Sequence, residues 1–117
     1  MMQNPDFHIA HIGINQADEE AALAAAKTWE ALFGFSPVIG RSSVFTGDGK
    51  IEVMKKMYRG THGHIAVGTA DIDSAVEYLK KRGVAFAEET AVVKDGRLAA
   101  IYLSDEIAGF AVHLVRA

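Results

Sequence analysis

Apolar residues recur along the chain first with the period of a strand and then with the period of a helix. Residues 7–14 alternate as a β-strand does, with His11 and Ile12 on opposite faces and Ile12 directed toward the helix that follows. Asp18 is expected to cap this helix and Gly34 to end it, because a carboxylate accepts from the free N–H groups of a first turn and glycine readily adopts the left-handed conformation. The apolar stripe of the helix comprises Ala22, Leu23, Ala26, Trp29, Leu32 and Phe33. We expect its aromatic members to lie in the core.

Short strands follow the helix, and then the whole pattern begins again. Three strands are predicted at residues 36–40, 42–45 and 50–54, with a hairpin turn at Thr46-Gly47-Asp48-Gly49. The second pass predicts a strand at 62–68, a helix from Asp71 or Asp73 to Gly83, and strands at 84–88, 98–103 and 110–115. Because the second copy leaves more residues for its strands, we expect it to form the deeper wall of the fold.

The repeat is visible in the residue letters themselves. Residues 11–18 read HIGINQAD and residues 64–71 read HIAVGTAD, so that the His, the Ile, a β-branched residue, the Ala and the capping Asp coincide at one offset. Internal repeats of this kind indicate duplicated supersecondary units that pack together. We therefore predict one α+β domain over residues 1–117, built from two tandem βαβββ modules at about 7–56 and 61–116. One helix per module leaves the other sheet face concave, which makes an open, barrel-like cleft.

One alternative fold also accounts for both helices. A ferredoxin-like βαββαβ domain contains two helices, but it does not explain the three strand signals between Ser36 and Met54. The duplicated-module interpretation is therefore preferred.

Four strands each direct one metal-ligand type of side chain toward the concave side. The period of two places His11, Glu52, His64 and His113 opposite to the helix-facing apolar residues of their strands. Three imidazoles and one carboxylate suit Zn, Ni, Co, Fe or Mn better than the all-oxygen sites of Mg or Ca. The sequence therefore predicts a divalent transition-metal site in the cleft.

Composition and charge exclude several kinds of protein and of functional site. The net charge of −3 argues against nucleic-acid binding, and the lack of cysteine excludes a disulfide scaffold, a thiolate metal site and a Cys nucleophile. Neither a signal peptide nor an apolar run of about 20 residues is recognisable, so no membrane partner is expected and a cytoplasmic location is the default.

These features together resemble the vicinal-oxygen-chelate superfamily, which includes glyoxalase I, extradiol dioxygenases and the fosfomycin and bleomycin resistance proteins. The resemblance extends over residues 7–115 and implies that His11, Glu52, His64 and His113 are the metal ligands. His113 departs from the metal-dependent glyoxalases, in which a Glu is expected at this position, and so removes one carboxylate that could act as a base. The dioxygenase pattern fits less well, because its Glu lies on the last strand and not at the position of Glu52.

The resemblance implies a lyase or isomerase that acts on a small substrate with vicinal oxygens. The bound metal would stabilise an enolate or oxyanion, and Glu52, if it can leave the metal, is the expected catalytic base. A drug-sequestering protein without catalysis is the alternative, although the few aromatic residues are expected mostly on the helix side. The resemblance also implies a homodimer.

A narrower resemblance supports a third function. Residues 63–69 and 105–114 are similar to a domain fused behind 2-keto-3-deoxy-phosphogluconate-type aldolases, which implies an accessory domain of a sugar-acid aldolase.

Several other polar residues are interpreted as structural or exposed. His62 is expected beside the ligands or in solvent, His8 on the surface, and Tyr102 in a structural position that could still reach the cleft. Arg41, Lys55 and Arg59 are interpreted as surface charges that could meet an anionic substrate.

Overall fold

The computed structural model describes residues 5–117 and contains eight strands and two helices in that range. In chain order these are β1 (His8–Ile14), α1 (Glu19–Phe33), β2 (Val38–Ile39), β3 (Ser43–Thr46), β4 (Ile51–Met54), β5 (Gly63–Thr69), α2 (Ile72–Lys81), β6 (Phe86–Lys94), β7 (Arg97–Leu103) and β8 (Phe110–Arg116). Every predicted element is present, and most bounds differ by one or two residues, but β6 continues to Lys94, six residues beyond its predicted end. The ferredoxin-like alternative is wrong, because it has two strands between its helices, whereas the four strands β2 to β5 lie between α1 and α2. No helix within residues 5–117 is long and apolar enough to cross a membrane.

Both helices begin with the predicted aspartate caps. The Asp18 carboxylate accepts a hydrogen bond from the Ala21 N–H at 2.8 Å, and Gly34 ends α1 with a φ of 73°. In the second module Asp71, and not Asp73, is the capping residue, and it accepts from the Ser74 N–H at 3.2 Å.

All eight strands form one sheet in the order β2-β3-β4-β1-β5-β8-β7-β6. Each module contributes four neighbouring strands, and the modules meet where β1 pairs antiparallel with β5. We call this pair of strands the seam. The sheet is not closed, because β2 and β6 remain at its edges, and this confirms the open, barrel-like cleft. The second module forms the deeper wall as expected, with β6 of 9 residues against the 2 residues of β2.

The helices contact mainly the strands outside the seam, although Val67 of β5 also packs against the core beneath α2. Helix α1 contacts mainly β3 and β4, whereas α2 contacts β7 and β8. Ile12 on β1 was expected to face a helix, but it is 38% exposed. Helix α1 covers this side of β1 only in part, since β1 lies in the middle of the sheet and α1 contacts mainly β3 and β4.

The expected core position of Phe33 is also wrong. Phe33 is 59% exposed and Leu32 is 69% exposed, while the buried residues of α1 are Ala22 and Ala26. A helix of 15 residues is about 22 Å long, whereas the 4-residue strands β3 and β4 are each about 13 Å long. Helix α1 therefore extends beyond the strands on which it packs. Trp29 is half-buried and lies 5.6 Å from the Phe33 ring.

Candidate metal centre

The four predicted ligands come together on the concave side of the sheet. The candidate ligand atoms of His11, His64 and His113 all lie within 4.8 Å of one another. The Glu52 carboxylate joins them through its Oε1 atom, which is 3.0 Å from His64 Nε2 and 3.3 Å from His11 Nε2. His11 Nε2 and His64 Nε2 are 3.3 Å apart. Each of these side chains comes from a different strand, namely β1, β4, β5 and β8.

The strand register explains how four side chains meet in so small a volume. Gly13 on β1 is the register partner of both Glu52 and His64, on the two strands that flank β1. A Cβ atom at Gly13 would lie 2.0 Å from His64 Cε1. The missing side chain of Gly13 therefore leaves the space that the His64 imidazole occupies.

A second small residue has the same position in the other module. Ala66 on β5 is the register partner of both His11 and His113, and it is fully buried. Gly13 and Ala66 occupy matching places in the repeated letters, HIG and HIA. The two modules thus place their ligands in the same way. In each, a small residue on the central strand lies between two ligand-type residues on the flanking strands.

Burial and hydrogen bonding set the charge states within the cluster. Burial, together with the neighbouring histidines, lowers the pKa of His113 to about 4, so its imidazole is neutral at physiological pH. Burial acts to raise the pKa of Glu52, but hydrogen bonds from His11, His64 and Ser43 outweigh it and hold the pKa far below its usual range. The Ser43 hydroxyl donates to Glu52 Oε2 at 2.7 Å. A neutral imidazole at His113 and an ionised carboxylate at Glu52 are the states that metal ligands require.

Two buried nitrogens of the cluster have no hydrogen-bond partner among the described residues. They are His64 Nδ1 and His113 Nε2. An unpaired buried nitrogen costs free energy unless something satisfies it. A metal ion bound by His113 Nε2 would satisfy that atom, so the donor set fits a divalent transition metal. His64 Nδ1 would need a water or a substrate group.

The cluster lies in a cavity of about 570 Å³, whose lining includes aromatic residues that the sequence alone did not assign to it. Phe45, Tyr58 and Tyr102 all line this cavity, so three aromatic side chains lie in the cleft and not on the helix side. The Tyr102 ring stacks on His113 with 4.5 Å between ring centroids. Burial raises the pKa of Tyr102 to about 12, and its phenol therefore stays protonated. Phe45 could have been found from the sequence, because it alternates with the buried Val44, whereas Tyr58 lies in a loop without periodicity.

The remaining charged and histidine side chains separate into two groups. Lys56 and Arg59 line the cavity, although Lys56 was not among the candidate residues. Lys55 instead pairs with Glu19 at 2.9 Å on the outside of the fold. The two other histidines, His8 and His62, are exposed and do not belong to the cluster, and Arg41 is exposed as well.

Comparison with known families places nearly the whole chain in one group of proteins. The model of the glyoxalase/bleomycin resistance protein/dioxygenase superfamily matches residues 2–114. No curated protein matches the sequence.

Several solved structures share the fold at low sequence identity. A selenomethionine methylmalonyl-CoA epimerase has a TM-score of 0.71 at 16% identity, with 97% of each chain covered. The Streptomyces coelicolor methylmalonyl-CoA epimerase, in complex with 2-nitronate-propionyl-CoA, has a TM-score of 0.61 at 20% identity over 93% of this chain and 96% of that chain. The Mycobacterium tuberculosis methylmalonyl-CoA epimerase has a TM-score of 0.62 at 20% identity over 92% of this chain and 86% of that chain. At these identities the likeness establishes the fold alone.

Proposed function

Because the chain belongs to the glyoxalase/bleomycin resistance/dioxygenase superfamily, we propose that it is a divalent-metal-dependent lyase or isomerase that acts on a small substrate with vicinal oxygens. The single observation that carries this proposal is the convergence of His11, Glu52, His64 and His113 in one cavity. The two histidines outside the cavity lack such neighbours among the described residues, so the convergence is specific to this surface.

The proposed ligands are the four residues of the cluster, and each contributes a distinct property. His11 and His113 offer half-buried imidazoles, and His64 offers one that is only 2% exposed. The protein environment keeps the Glu52 carboxylate ionised. A bound Zn, Ni, Co, Fe or Mn ion would act as a Lewis acid that stabilises an enolate or oxyanion.

Glu52 is the proposed catalytic base, and its hydrogen bonds restrict how it can act. A carboxylate whose pKa lies far below the usual range is a weak proton acceptor while it keeps those bonds. A histidine nitrogen that ligates a metal carries no proton and so cannot donate to Glu52. The basicity of Glu52 therefore depends on the state of His11 and His64, the two histidines that contact it.

The first experiment measures metal uptake together with proton abstraction. Purified protein is loaded with each of the five metals, its metal content is determined by elemental analysis, and deuterium exchange from solvent into a C–H acid is followed by NMR. Methylmalonyl-CoA and the hemithioacetal of methylglyoxal and glutathione serve as the two probes. We expect about one metal ion per chain and metal-dependent exchange or isomerisation of at least one probe.

Variants of matched chemistry make this experiment decisive. His64→Ala removes a proposed ligand and should abolish metal uptake, whereas His8→Ala removes an exposed histidine and should leave it unchanged. Glu52→Gln should reduce exchange at least 100-fold, because an amide cannot accept the proton. A wild-type protein that takes up none of the five metals would contradict the proposal.

Binding without catalysis remains a second candidate because of the aromatic residues in the cavity. Phe45, Tyr58 and Tyr102 supply the apolar lining that a drug-sequestering protein needs. This function predicts that an aromatic drug such as bleomycin stabilises the metal-free protein in a thermal-shift assay. The metal-dependent function predicts that stabilisation requires the metal. The accessory function for a sugar-acid aldolase also stays a prediction, and a coding region next to an aldolase gene would support it.

Three further parts of the proposal concern the chain as a whole. We propose a single domain over residues 1–117 with modules at about 7–56 and 61–116, supported by the shared sheet. We also propose a homodimer in the cytoplasm, without nucleic acid or membrane as partners. Light scattering and cell fractionation test the dimer and the location.

A further inference from the structure

We propose that the substrate carries an anionic group, a carboxylate or a phosphate, in addition to its vicinal oxygens, and that Arg59 binds this group at the mouth of the cavity. The inference rests on the proposed function, since it takes the cavity to be the substrate site. It concerns a different part of that site, because Arg59 does not belong to the histidine cluster.

The charges that line the cavity favour an anion, although the net charge of the chain is −3. Among the residues that line it, Glu52 is the one carboxylate, whereas Lys56 and Arg59 are both cations. A divalent ion held by three neutral histidines and Glu52 would leave a further positive charge at the floor. A concave surface of one sign concentrates ligands of the opposite sign.

Arg59 is held in place by an aromatic side chain that also contacts the cluster. Its guanidinium carbon lies 5.1 Å from the centroid of the Tyr102 ring, and the same ring stacks on His113 at 4.5 Å. Tyr102 is buried, so it provides a fixed platform for the cation. The Tyr102 ring therefore lies in contact with both the Arg59 guanidinium and a proposed metal ligand.

The backbone that carries Arg59 is anchored as well. The buried side chain of Asn15 donates hydrogen bonds to the carbonyl oxygens of Tyr58 at 3.2 Å and Gly60 at 3.1 Å, the two residues that flank Arg59. Gly60 has a φ of 89°, and a Cβ atom there would meet the Gly63 carbonyl oxygen at 1.8 Å, so the loop lies directly against β5. Asn15 is thus a positioning residue for the segment that places Arg59 over the cavity.

Among residues 5–117, the arginine side chain that donates hydrogen bonds is that of Arg116 and not that of Arg59. Within residues 5–117, no carboxylate lies within ion-pair distance of Arg59 or Lys56, in contrast to Lys55 with its partner Glu19. The N–H groups of a guanidinium form a fork that matches a carboxylate or a phosphate. Arg59 is therefore the specificity residue that we assign, with Lys56 as a second positive charge.

Two pairs of ligands test the inference by calorimetric titration of the zinc-loaded protein. The first pair is 2-oxoglutarate and 2-oxopentanoate, which share a 2-oxo acid and differ in the distal carboxylate. The second pair is 3-phosphoglycerate and glycerate, which differ in the phosphate. We expect the more anionic member of at least one pair to bind about tenfold more tightly, the effect of one charge-assisted contact. The pair that shows the larger preference distinguishes a carboxylate from a phosphate.

Variants separate Arg59 from unspecific charge effects. Arg59→Gln should remove the preference within the pair and leave the affinity for the less anionic member unchanged, and Arg59→Lys should restore part of it. Arg82→Gln is the matched control, because Arg82 lies over the Tyr78 ring at 4.4 Å but outside the cavity. Equal affinities within both pairs, or a preference that survives in Arg59→Gln, would overturn the inference.

The metal content of each sample keeps this result apart from the proposed function. Arg59→Gln should bind as much zinc as the wild-type protein, since Arg59 is no proposed ligand. The same titrations are repeated with metal-free protein. A preference that depends on Arg59 but appears without any metal uptake would support the anion site and contradict the metal-dependent function.

Discussion

Gly13 and Ala66 show what a single missing or small side chain contributes to the cluster. Each is the register partner of two proposed ligands, and each lies on a strand of the seam. Both positions are visible in the sequence repeat, as the third letters of HIG and HIA. Their importance could not be predicted from the letters alone, because it depends on which strands become neighbours of β1 and β5.

The first prediction concerns the substitution Gly13→Ala. Gly13 is not in the left-handed region, so alanine meets no backbone strain, but its methyl group would collide with the His64 imidazole. We expect a loss of about 1–3 kcal/mol in the free energy of unfolding and a zinc affinity at least tenfold weaker. Urea unfolding and a competitive zinc titration measure the two effects.

A matched glycine and a double variant give the controls for this prediction. Gly68→Ala also adds a methyl group on β5, but there it meets the exposed side chain of His8, which can move away, so we expect a change below about 0.5 kcal/mol. In Gly13→Ala combined with His64→Ala the collision is absent, and part of the lost stability should return. Additive losses in the double variant would contradict this explanation.

The second prediction concerns the pH dependence of stability in the metal-free protein. His113 has a folded-state pKa of about 4, below the value near 6.5 expected for an unfolded chain, so between these values the unfolded state binds more protons. Stability should therefore fall as the pH decreases from about 6.5 to 4, by a contribution on the order of 2 kcal/mol. Urea unfolding at pH 7, 5.5 and 4.5 measures it, and His113→Asn should flatten the profile.

The positions of the four proposed ligands were predictable because strand alternation is a local property. His11 on β1 and Glu52 on β4 needed only the parity of their own strands. The cation at Arg59 was not assigned to the cavity, since it lies in a loop whose path depends on the long-range hydrogen bonds of Asn15. Loop residues become predictable only when such tertiary contacts are known.

At the scale of elements, β6 is the strand with the most irregular pairing. Its register with β7 shifts between Ala87 and Val92, and Thr90 lies within this irregular part. The Thr90 hydroxyl donates to the Ala87 carbonyl oxygen at 2.6 Å and accepts from the Tyr102 N–H at 2.9 Å. This side chain replaces the missing ladder bonds and so fixes the strand that carries Tyr102.

The third prediction follows from these two hydrogen bonds. Thr90→Val keeps the shape of the side chain and removes both bonds, which should lower the free energy of unfolding by about 1–3 kcal/mol because the Tyr102 N–H loses its partner. Thr28→Val, on the exposed surface of α1, serves as the control and should change stability much less. Equal losses in the two variants would contradict a special position for Thr90.

The ends of helix α1 were predictable from the sequence, but the burial of its apolar stripe was not. Its start at Asp18 and its end at Gly34 were confirmed, because caps are encoded by adjacent residues. The burial of its stripe was not predictable, since it depends on the length of β3 and β4, the strands beneath it. Periodicity identifies the apolar face of a helix, but it does not show how much of that face is covered by the strands beneath it.

At the scale of the whole molecule, the exposed end of α1 continues into the edge strand β2. The exposed apolar residues there are Leu32, Phe33, Phe35, Val38 and Ile39. A contiguous apolar surface beside an open strand edge is typical of an interface. A second copy of the chain on this surface would account for the proposed homodimer.

The fourth prediction tests this interface. Phe33→Glu should convert the dimer to a monomer, as measured by light scattering after size exclusion. Ile107→Glu is the control, because Ile107 is 59% exposed, as Phe33 is, but lies in the loop before β8. A monomeric wild-type chain would disprove the dimer, and a dimeric Phe33→Glu variant would place it on another surface.

The seam has a mechanical consequence. The helices contact mainly the strands outside the seam, so the two modules are joined chiefly by the pairing of β1 with β5. His11 and Glu52 belong to the strands of one half, and His64 and His113 to those of the other. An ion held by all four would therefore cross-link the two modules. The relative placement of the modules would then depend on the metal as well as on the pairing of β1 with β5.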